Sequence, residues 1–148
     1  LLKDGTFVPR AITRDPTGEA AKKLQESGVE VVKGDSLDKR SLVDALRRSM
    51  RYVNLIPAWK QIDNVPIFPM KAEGEGPNEI VQGKNIVDPA KEVGVKFFIL
   101  SSLPSINTIS GGKYTKALHY DHKQVVEGYL KSSGLANASL HLGGFLEN

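Results

Sequence analysis

The fold class of this chain is decided by residues 97–102, FFILSS, which run from Phe97 to Ser102. Consecutive apolar residues predict a buried strand, and the two serines place polar side chains where that strand ends. The next predicted helix opens with the polar stretch His119 to Lys123, HYDHK. Since open α/β sheets bind ligands at the carboxyl ends of their strands, this order predicts a site between the serines and the helix.

Strands and helices alternate on both sides of this stretch. Short apolar runs predict strands, whereas apolar residues at helical spacing predict helices. The alternation is typical of βαβ units, so we predict an α/β fold with a mainly parallel sheet. The predicted strands are residues 7–13, 29–33, 52–56, 95–101 and 137–142, and the predicted helices are residues 17–27, 38–49, 77–93 and 118–133.

Glycine and proline mark where these helices end. Gly28 is expected to end the first helix in a left-handed conformation, and Gly134 to stop the last one. Pro89 lies inside the third helix and removes a backbone donor, at a cost of about 3 kcal/mol in an unbroken helix. We therefore expect a kink or break near Asp88. Residues 57–76 are rich in Pro, Gly and charge and form a loop too long for a plain connector.

Composition limits the class of protein. With 148 residues, 40% hydrophobic and 25% charged, the chain suits one domain, residues 1–148, with an ordinary core. The net charge of +3 is small and scattered, which argues against direct binding of nucleic acid. The absence of cysteine excludes disulfides and thiolate chemistry. No run is apolar enough to span a membrane and no signal peptide opens the chain, which makes the cytoplasm the default location.

Several motifs follow one another along the chain and together resemble the NmrA-like family, an atypical branch of the short-chain dehydrogenase superfamily. The resemblance runs in register from Gly5 to Asn148 and suggests a fungal member. It implies a Rossmann-like, three-layer parallel sheet that binds NADP, with NAD as the alternative. The motifs are QGKNIVD at 82–88, AKE at 90–92, GVKF at 94–97, SSLP at 101–104, SGGKY at 110–114 and HYDHK at 119–123.

The start of the chain differs from a complete Rossmann domain. Such a domain begins with a strand and a Gly-rich turn that hold the dinucleotide pyrophosphate at a helix N-terminus. Residues 1–5, LLKDG, instead resemble the end of the following helix. We therefore expect the chain to lack its first, central strand, which leaves a gap between two sets of strands, and to lack the C-terminal substrate region. Unpaired backbone groups cost about 1–3 kcal/mol each, so we expect the chain alone to be unstable or rearranged.

The end of the first predicted strand carries the residues that would choose the dinucleotide. In Thr13-Arg14-Asp15, the arginine lies where it would pair with the adenosine 2′-phosphate of NADP. An acidic residue at this strand end would favour NAD, and Asp15 follows directly. The alternative interpretation is that Arg14 is one exposed cation among 20 basic residues.

Further cofactor contacts are implied by the resemblance. Gly34-Asp35 resembles the family's adenine-contacting turn, although a strand-to-helix turn capped by Asp35 explains the pair equally well. Asn54 falls where the family's chain passes the cofactor. Ser101 and Ser102 lie near the superfamily's catalytic serine position, and we predict that they line the cofactor pocket. Their alternative role is to satisfy local backbone groups.

Lys123 is the leading catalytic candidate, with His119 beside it. In short-chain dehydrogenases a tyrosine one helical turn before the lysine shares its face, and the lysine holds the nicotinamide ribose and lowers the pKa of that tyrosine. Here His119 occupies the tyrosine position, because Tyr120 is three residues before the lysine and Tyr114 is too far upstream. The NmrA-like branch shows the same histidine, which argues against dehydrogenase chemistry, although histidine can shuttle a proton.

Three functions follow from the resemblance and these residues. The first is a sensor that binds NADP without turnover and associates with a transcriptional-regulator protein, in the cytoplasm or the nucleus. The second is an NADPH-dependent reductase of a small carbonyl or aromatic substrate, similar to isoflavone-reductase-like proteins. The third is a partner-binding remnant without nucleotide. A metal site is not expected, because His119 and His122 have no evident third ligand, and His141 is interpreted as structural.

Overall fold

The computed structural model describes residues 8–47, the backbone of residues 51–54 and 77–78, and residues 79–141. Strands and helices alternate as predicted, and each predicted strand and helix has a counterpart. The strands are β1 (Arg10–Thr13), β2 (Glu30–Lys33), β3 (Arg51–Asn54), β4 (Phe97–Ser102) and β5 (Asn137–His141). The helices are α1 (Glu19–Glu26), α2 (Lys39–Leu46), α3 (Pro77–Glu92), the unpredicted short α4 (Ile106–Ile109) and α5 (Leu118–Ser132).

The strands form two parallel sheets, one of β1 and β2 and one in the order β3-β4-β5. In the second sheet, Leu100 of β4 lies between Asn54 of β3 and Ser139 of β5. Among the strands described, no pairing joins the two sheets, in agreement with the predicted separation of the first two strands from the other three. The predicted parallel α/β class is confirmed.

One apolar core spans both sheets. Helix α3 packs against both α2 and α5, while α2 contacts β2 and α5 contacts β4. Because strands of both sheets rest on these helices, helix packing sets where the carboxyl ends of the strands lie. The core residues come from β1, α2, α3, the connection between α3 and β4, β4 and α5: Ile12, Leu42, Ala45, Leu46, Ile86, Val87, Ala90, Val95, Phe98, Leu100, Val126 and Leu130.

Polar contacts made by Asp88 reinforce the packing of α3 on its neighbours. Its carboxylate accepts hydrogen bonds from Lys39 Nζ of α2 at 2.6 Å and from Tyr129 Oη of α5 at 2.6 Å. Burial raises the pKa of Asp88, but the hydrogen bonds from Lys39 and Tyr129 outweigh it and the pKa is lowered. Asp88 therefore stays ionised and links three helices.

The glycine stops are confirmed. Of the kink or break predicted in α3 near Asp88, the break is wrong. Gly28 follows α1 with φ 88° and Gly134 follows α5 with φ 82°, a region that glycine occupies without strain. Helix α3, however, continues through Pro89 to Glu92. Pro89 is fully buried beside core residues in the last turn of the helix, where tertiary packing offsets the unfavourable propensity.

Candidate cofactor-binding site

At the end of β1, Arg14 is exposed to solvent, whereas Thr13 and Asp15 on either side of it make local hydrogen bonds. Thr13 Oγ accepts a hydrogen bond from the Asp15 backbone at 3.3 Å, and Asp15 Oδ1 accepts from the Thr17 backbone and hydroxyl at 2.9 and 2.6 Å. These bonds from Thr17 lower the pKa of Asp15. Since the carboxylate serves a local turn, Arg14 is the exposed side chain that can meet a ligand phosphate.

At the end of β2, Gly34 and Asp35 both have structural roles. A Cβ added to Gly34 would lie 2.5 Å from Ile12 Cγ2, closer than packed atoms allow, so this position requires glycine. Asp35 Oδ1 accepts from the Leu37 backbone at 2.9 Å, and the Asp35 backbone N–H donates to Ser41 Oγ at 2.9 Å. The capped-turn interpretation therefore explains this pair, and their contact with an adenine stays a prediction.

Lys123 of α5 is buried against a carboxylate that the sequence analysis did not single out. Its side chain is 4% exposed, and its Nζ lies 2.9 Å from Oε1 of Glu79, in the first turn of α3. The second oxygen of Glu79 lies 3.6 Å from His122 Nδ1. One carboxylate thus faces two basic side chains at the start of α5. An acidic residue in the first turn of a predicted helix was the available signal, and it is a common one.

The contact between Glu79 and Lys123 depends on how closely α3 approaches α5. One turn after Glu79, a Cβ added to Gly83 would lie 2.4 and 2.6 Å from the two Cγ atoms of Val126. The bare backbone at Gly83 therefore lets the two helices touch. This close approach places the glutamate of one helix beside the lysine of the other.

His119 lies one turn before Lys123, as the sequence predicts, so both belong to the same face of α5. Its half-buried ring stacks at a tilt on Tyr120, with centroids 4.5 Å apart and planes at 54°. Tyr114 precedes the helix and is 57% exposed. Neither tyrosine occupies the position one turn before Lys123, so the face offers an imidazole in place of a phenol.

The two serines at the end of β4 are buried, and Asn54 is the last residue of β3. Ser101 is 9% exposed and Ser102 is 1% exposed. Ser102 Oγ donates to the backbone oxygen of Lys123 at 3.4 Å, so this serine ties β4 to α5. The Asn54 backbone pairs beside Leu100, while its side chain lies outside the described residues. That these residues line a cofactor pocket stays a prediction.

A second buried carboxylate on α5 joins the helix to β5. Glu127 is 3% exposed and accepts hydrogen bonds from Lys131 Nζ at 2.6 Å and His141 Nε2 at 2.7 Å. Burial raises the pKa of Glu127, but the hydrogen bonds from Lys131 and His141 outweigh it and lower the pKa to about 2. His141 therefore has the structural environment that the sequence predicts.

Beside the start of α5 lies an open concave surface of about 530 Å³. Its charged and aromatic lining includes Lys113, whose Nζ lies 5.4 Å from the centroid of the Tyr114 ring. Across residues 8–47 and 79–141, no three His, Asp or Glu side chains form a group that could hold a metal ion. None of the helices in the described part is long and apolar enough to cross a membrane.

Both the sequence and the fold are similar to those of known proteins. The family model described as "NmrA-like family" matches residues 1–148. The NmrA-like family domain-containing oxidoreductase FrzB of Cladobotryum sp. is 34% identical over 139 residues, which cover 90% of this chain and 37% of FrzB. The chain spans less than half the length of the curated relatives it matches.

Two solved structures are similar in fold. NADPH-dependent quinone oxidoreductase QOR2 from Escherichia coli, complexed with NADPH, has a TM-score of 0.69 and 24% identity, covering 99% of this chain and 44% of that chain. NmrA, a negative transcriptional regulator, has a TM-score of 0.71 and 22% identity, covering 95% of this chain and 38% of that chain. At these identities the likeness shows the fold, which is the Rossmann-like fold that the sequence predicts.

Proposed function

Because the chain belongs to the NmrA-like family, we propose that the protein binds NADP(H) and acts as a cofactor sensor that associates with a transcriptional-regulator protein. The observation that carries this proposal is the face of α5 around Lys123. The ammonium is buried and paired with Glu79, and the residue one turn earlier is His119. This face can hold a nicotinamide ribose, but it offers no tyrosine hydroxyl for donating a proton to a carbonyl oxygen.

The preference for NADP over NAD rests on the end of β1. Arg14 is exposed there, and a guanidinium pairs well with a phosphate such as the 2′-phosphate of NADP. NAD recognition would require a carboxylate for the 2′-hydroxyl. Asp15 is the nearest carboxylate in the chain, and its Oδ1 is occupied by Thr17.

Relatives of similar fold support a sensor as well as a dinucleotide. QOR2 was solved with NADPH, which supports NADP(H) as the cofactor of this fold. NmrA is described as a negative transcriptional regulator, which supports a regulator as the partner. With NADP bound, the ligand would reach across the carboxyl ends of both sheets, from Arg14 to Lys123. Such a ligand joins parts of the protein that no strand pairing connects among the described residues.

A second candidate is an NADPH-dependent oxidoreductase. It is favoured by the description of FrzB as an oxidoreductase and by the concave surface next to α5. NADPH supplies hydride when bound. In this case Lys123 would orient the nicotinamide ribose, His119 would relay a proton to the reduced substrate, and a small carbonyl or aromatic compound would occupy the concave surface.

The cofactor proposal is tested by titration calorimetry with NADP and NAD. The chain is compared with a longer version that starts with the strand and Gly-rich turn expected from the family resemblance. We expect the longer version to bind NADP more tightly than NAD. Arg14→Ala should weaken NADP binding about 10- to 100-fold, the loss of one charge-assisted contact, and leave NAD binding unchanged.

Lys91→Ala, which removes an exposed cation at the far end of α3, serves as the matched control and should change neither affinity. If neither version binds a dinucleotide, the proposal fails and a protein-interaction role replaces it. Sensor and enzyme are then separated by following NADPH oxidation with a panel of carbonyl compounds. Steady turnover that Lys123→Ala abolishes would establish the oxidoreductase; no turnover despite tight binding supports the sensor.

A further inference from the structure

We infer that Glu79 is a positioning residue for the cofactor, which holds the Lys123 ammonium where it meets the nicotinamide ribose. This inference rests on the proposed binding of NADP(H). It concerns a residue on α3, whereas the residues that point to the cofactor from the sequence lie on α5 and at the strand ends.

The geometry gives Glu79 control over the direction of the ammonium. Lys123 Nζ donates to Glu79 Oε1 at 2.9 Å. An ammonium has three N–H donors, and within the described residues Glu79 accepts from one of them, so donors are left for the ribose hydroxyls. With one donor fixed and the carbon chain packed, the remaining donors point in defined directions.

Burial explains why the lysine needs this partner. The Lys123 side chain is 4% exposed and that of Glu79 is 16% exposed, so both charges lie largely outside water. An ammonium left unpaired at such a site is strongly unfavourable, so without this partner the side chain would turn towards solvent. That turn removes the donors that a ribose would use.

Rigid elements fix the partner in place. Glu79 lies in the first turn of α3, where the helix dipole favours a carboxylate. The close contact of Gly83 with Val126 sets the distance between the helices. A binding group supported by packed helices keeps its geometry better than one carried by a loop. The pair is therefore preorganised before the cofactor arrives.

The test compares two ligands that differ in one part. NADP contains the nicotinamide ribose, whereas 2′,5′-ADP contains only the adenosine part and its phosphates, which Arg14 would contact. In the longer version of the chain, Glu79→Gln should weaken NADP binding about tenfold, the effect seen at metal sites when the group that orients a ligand is lost. Binding of 2′,5′-ADP should not change. Glu92→Gln, the same substitution at an exposed position of α3, should alter neither affinity.

The outcomes distinguish a failure of the positioning role of Glu79 from a failure of the proposed function. If wild type binds neither ligand, the proposed function fails and the inference falls with it. If wild type binds NADP but Glu79→Gln leaves that affinity intact, or weakens both ligands equally, only the positioning role is overturned. Lys123→Met provides a second check: when combined with Glu79→Gln it should weaken NADP no further than Lys123→Met alone, since the glutamate acts through the lysine.

Discussion

Two carboxylates lie at α5, Glu79 on the neighbouring helix α3 and Glu127 on α5 itself. Each is paired with a lysine and a histidine, but the more buried partner is the lysine in the first pair and the carboxylate in the second. In the first pair, Lys123 is 4% exposed and Glu79 is 16% exposed. In the second pair, Glu127 is 3% exposed and Lys131 is 60% exposed. The first pair buries a cation beside the carboxyl edge of the sheet, and the second buries an anion beneath two exposed basic side chains.

Under the proposed function, the difference separates a ligand-binding arrangement from a structural one. A buried ammonium with N–H donors to spare is suited to an uncharged, hydroxyl-bearing ligand such as a ribose. Glu127 instead has its two oxygens occupied by Lys131 of the same helix and by His141, which connects α5 to β5. In that proposal, similar residue types serve two purposes on one helix, and the two pairs differ in which charge is buried.

The largest effect is expected from Lys123→Met, which is compared with the same substitution made separately at Lys131. Lys123→Met leaves a carboxylate with 16% exposure facing no ammonium, and we expect a loss of about 3–5 kcal/mol in the free energy of unfolding. Lys131→Met removes one hydrogen bond to the buried Glu127 from a lysine that is 60% exposed. Because His141 still donates to that carboxylate at 2.7 Å, the loss should be smaller, about 1.5–3 kcal/mol. Urea unfolding of the two variants measures both losses in the free energy of unfolding. Equal losses would contradict the distinction between the two pairs.

The second prediction uses pH to isolate the contribution of Glu127. Its pKa falls from 4.5 to about 2 on folding, which corresponds to up to about 3 kcal/mol of stability. A lowered pKa stabilises the fold fully above the unfolded value, so the contribution is complete above about pH 4.5. It is lost as the pH falls towards 2.

Glu127→Gln should therefore be less stable than wild type by up to about 3 kcal/mol at pH 7, and this difference should shrink below pH 4.5. Urea unfolding of both proteins at several pH values checks the prediction. Asp44→Gln, at an exposed carboxylate of α2, is the control and should show little difference at any pH. A difference for Glu127→Gln that does not depend on pH would mean that the side chain acts through packing alone.

Much of the fold could be predicted from the sequence because its signals are local. The strand 97–102 and the stops at Gly28 and Gly134 follow from short-range periodicity and backbone preference. His119 and Lys123 share a face because they are one helical turn apart. Of the kink or break predicted near Asp88, the break was wrong because core packing, which no local pattern records, outweighs the proline penalty.

The partner of Lys123 could not be predicted for the same physical reason. Glu79 is 44 residues away in the sequence, and only the packing of α3 on α5 brings it within 2.9 Å. Gly83 is the residue that makes this packing possible, yet a glycine inside a helical pattern normally suggests only reduced stability. Similarly, Gly34 matches a family turn in the sequence, while the structure shows that it is needed against Ile12.

The smallest expected effect tests whether the Glu79–Lys123 pair depends on that glycine. An added Cβ at Gly83 would lie 2.4 Å from a Cγ of Val126. Val126 is β-branched and 2% exposed, so its side chain can neither rotate nor shift to make room. Gly83→Ala should therefore cost about 1–3 kcal/mol in the free energy of unfolding and push α3 away from α5.

Gly128→Ala is the matched control, because a Cβ added there meets nothing within 4 Å. At an exposed helix position, replacing glycine by alanine stabilises the fold by about 0.5–1 kcal/mol. A double-mutant cycle in urea sharpens the test. If Gly83 sets the helix spacing, Lys123→Met should cost less in the Gly83→Ala background than in wild type, because the pair is already loosened. Lys131→Met should cost the same in both backgrounds, since its partner lies on α5 itself. An undiminished cost of Lys123→Met would mean that the pair forms independently of the close helix contact.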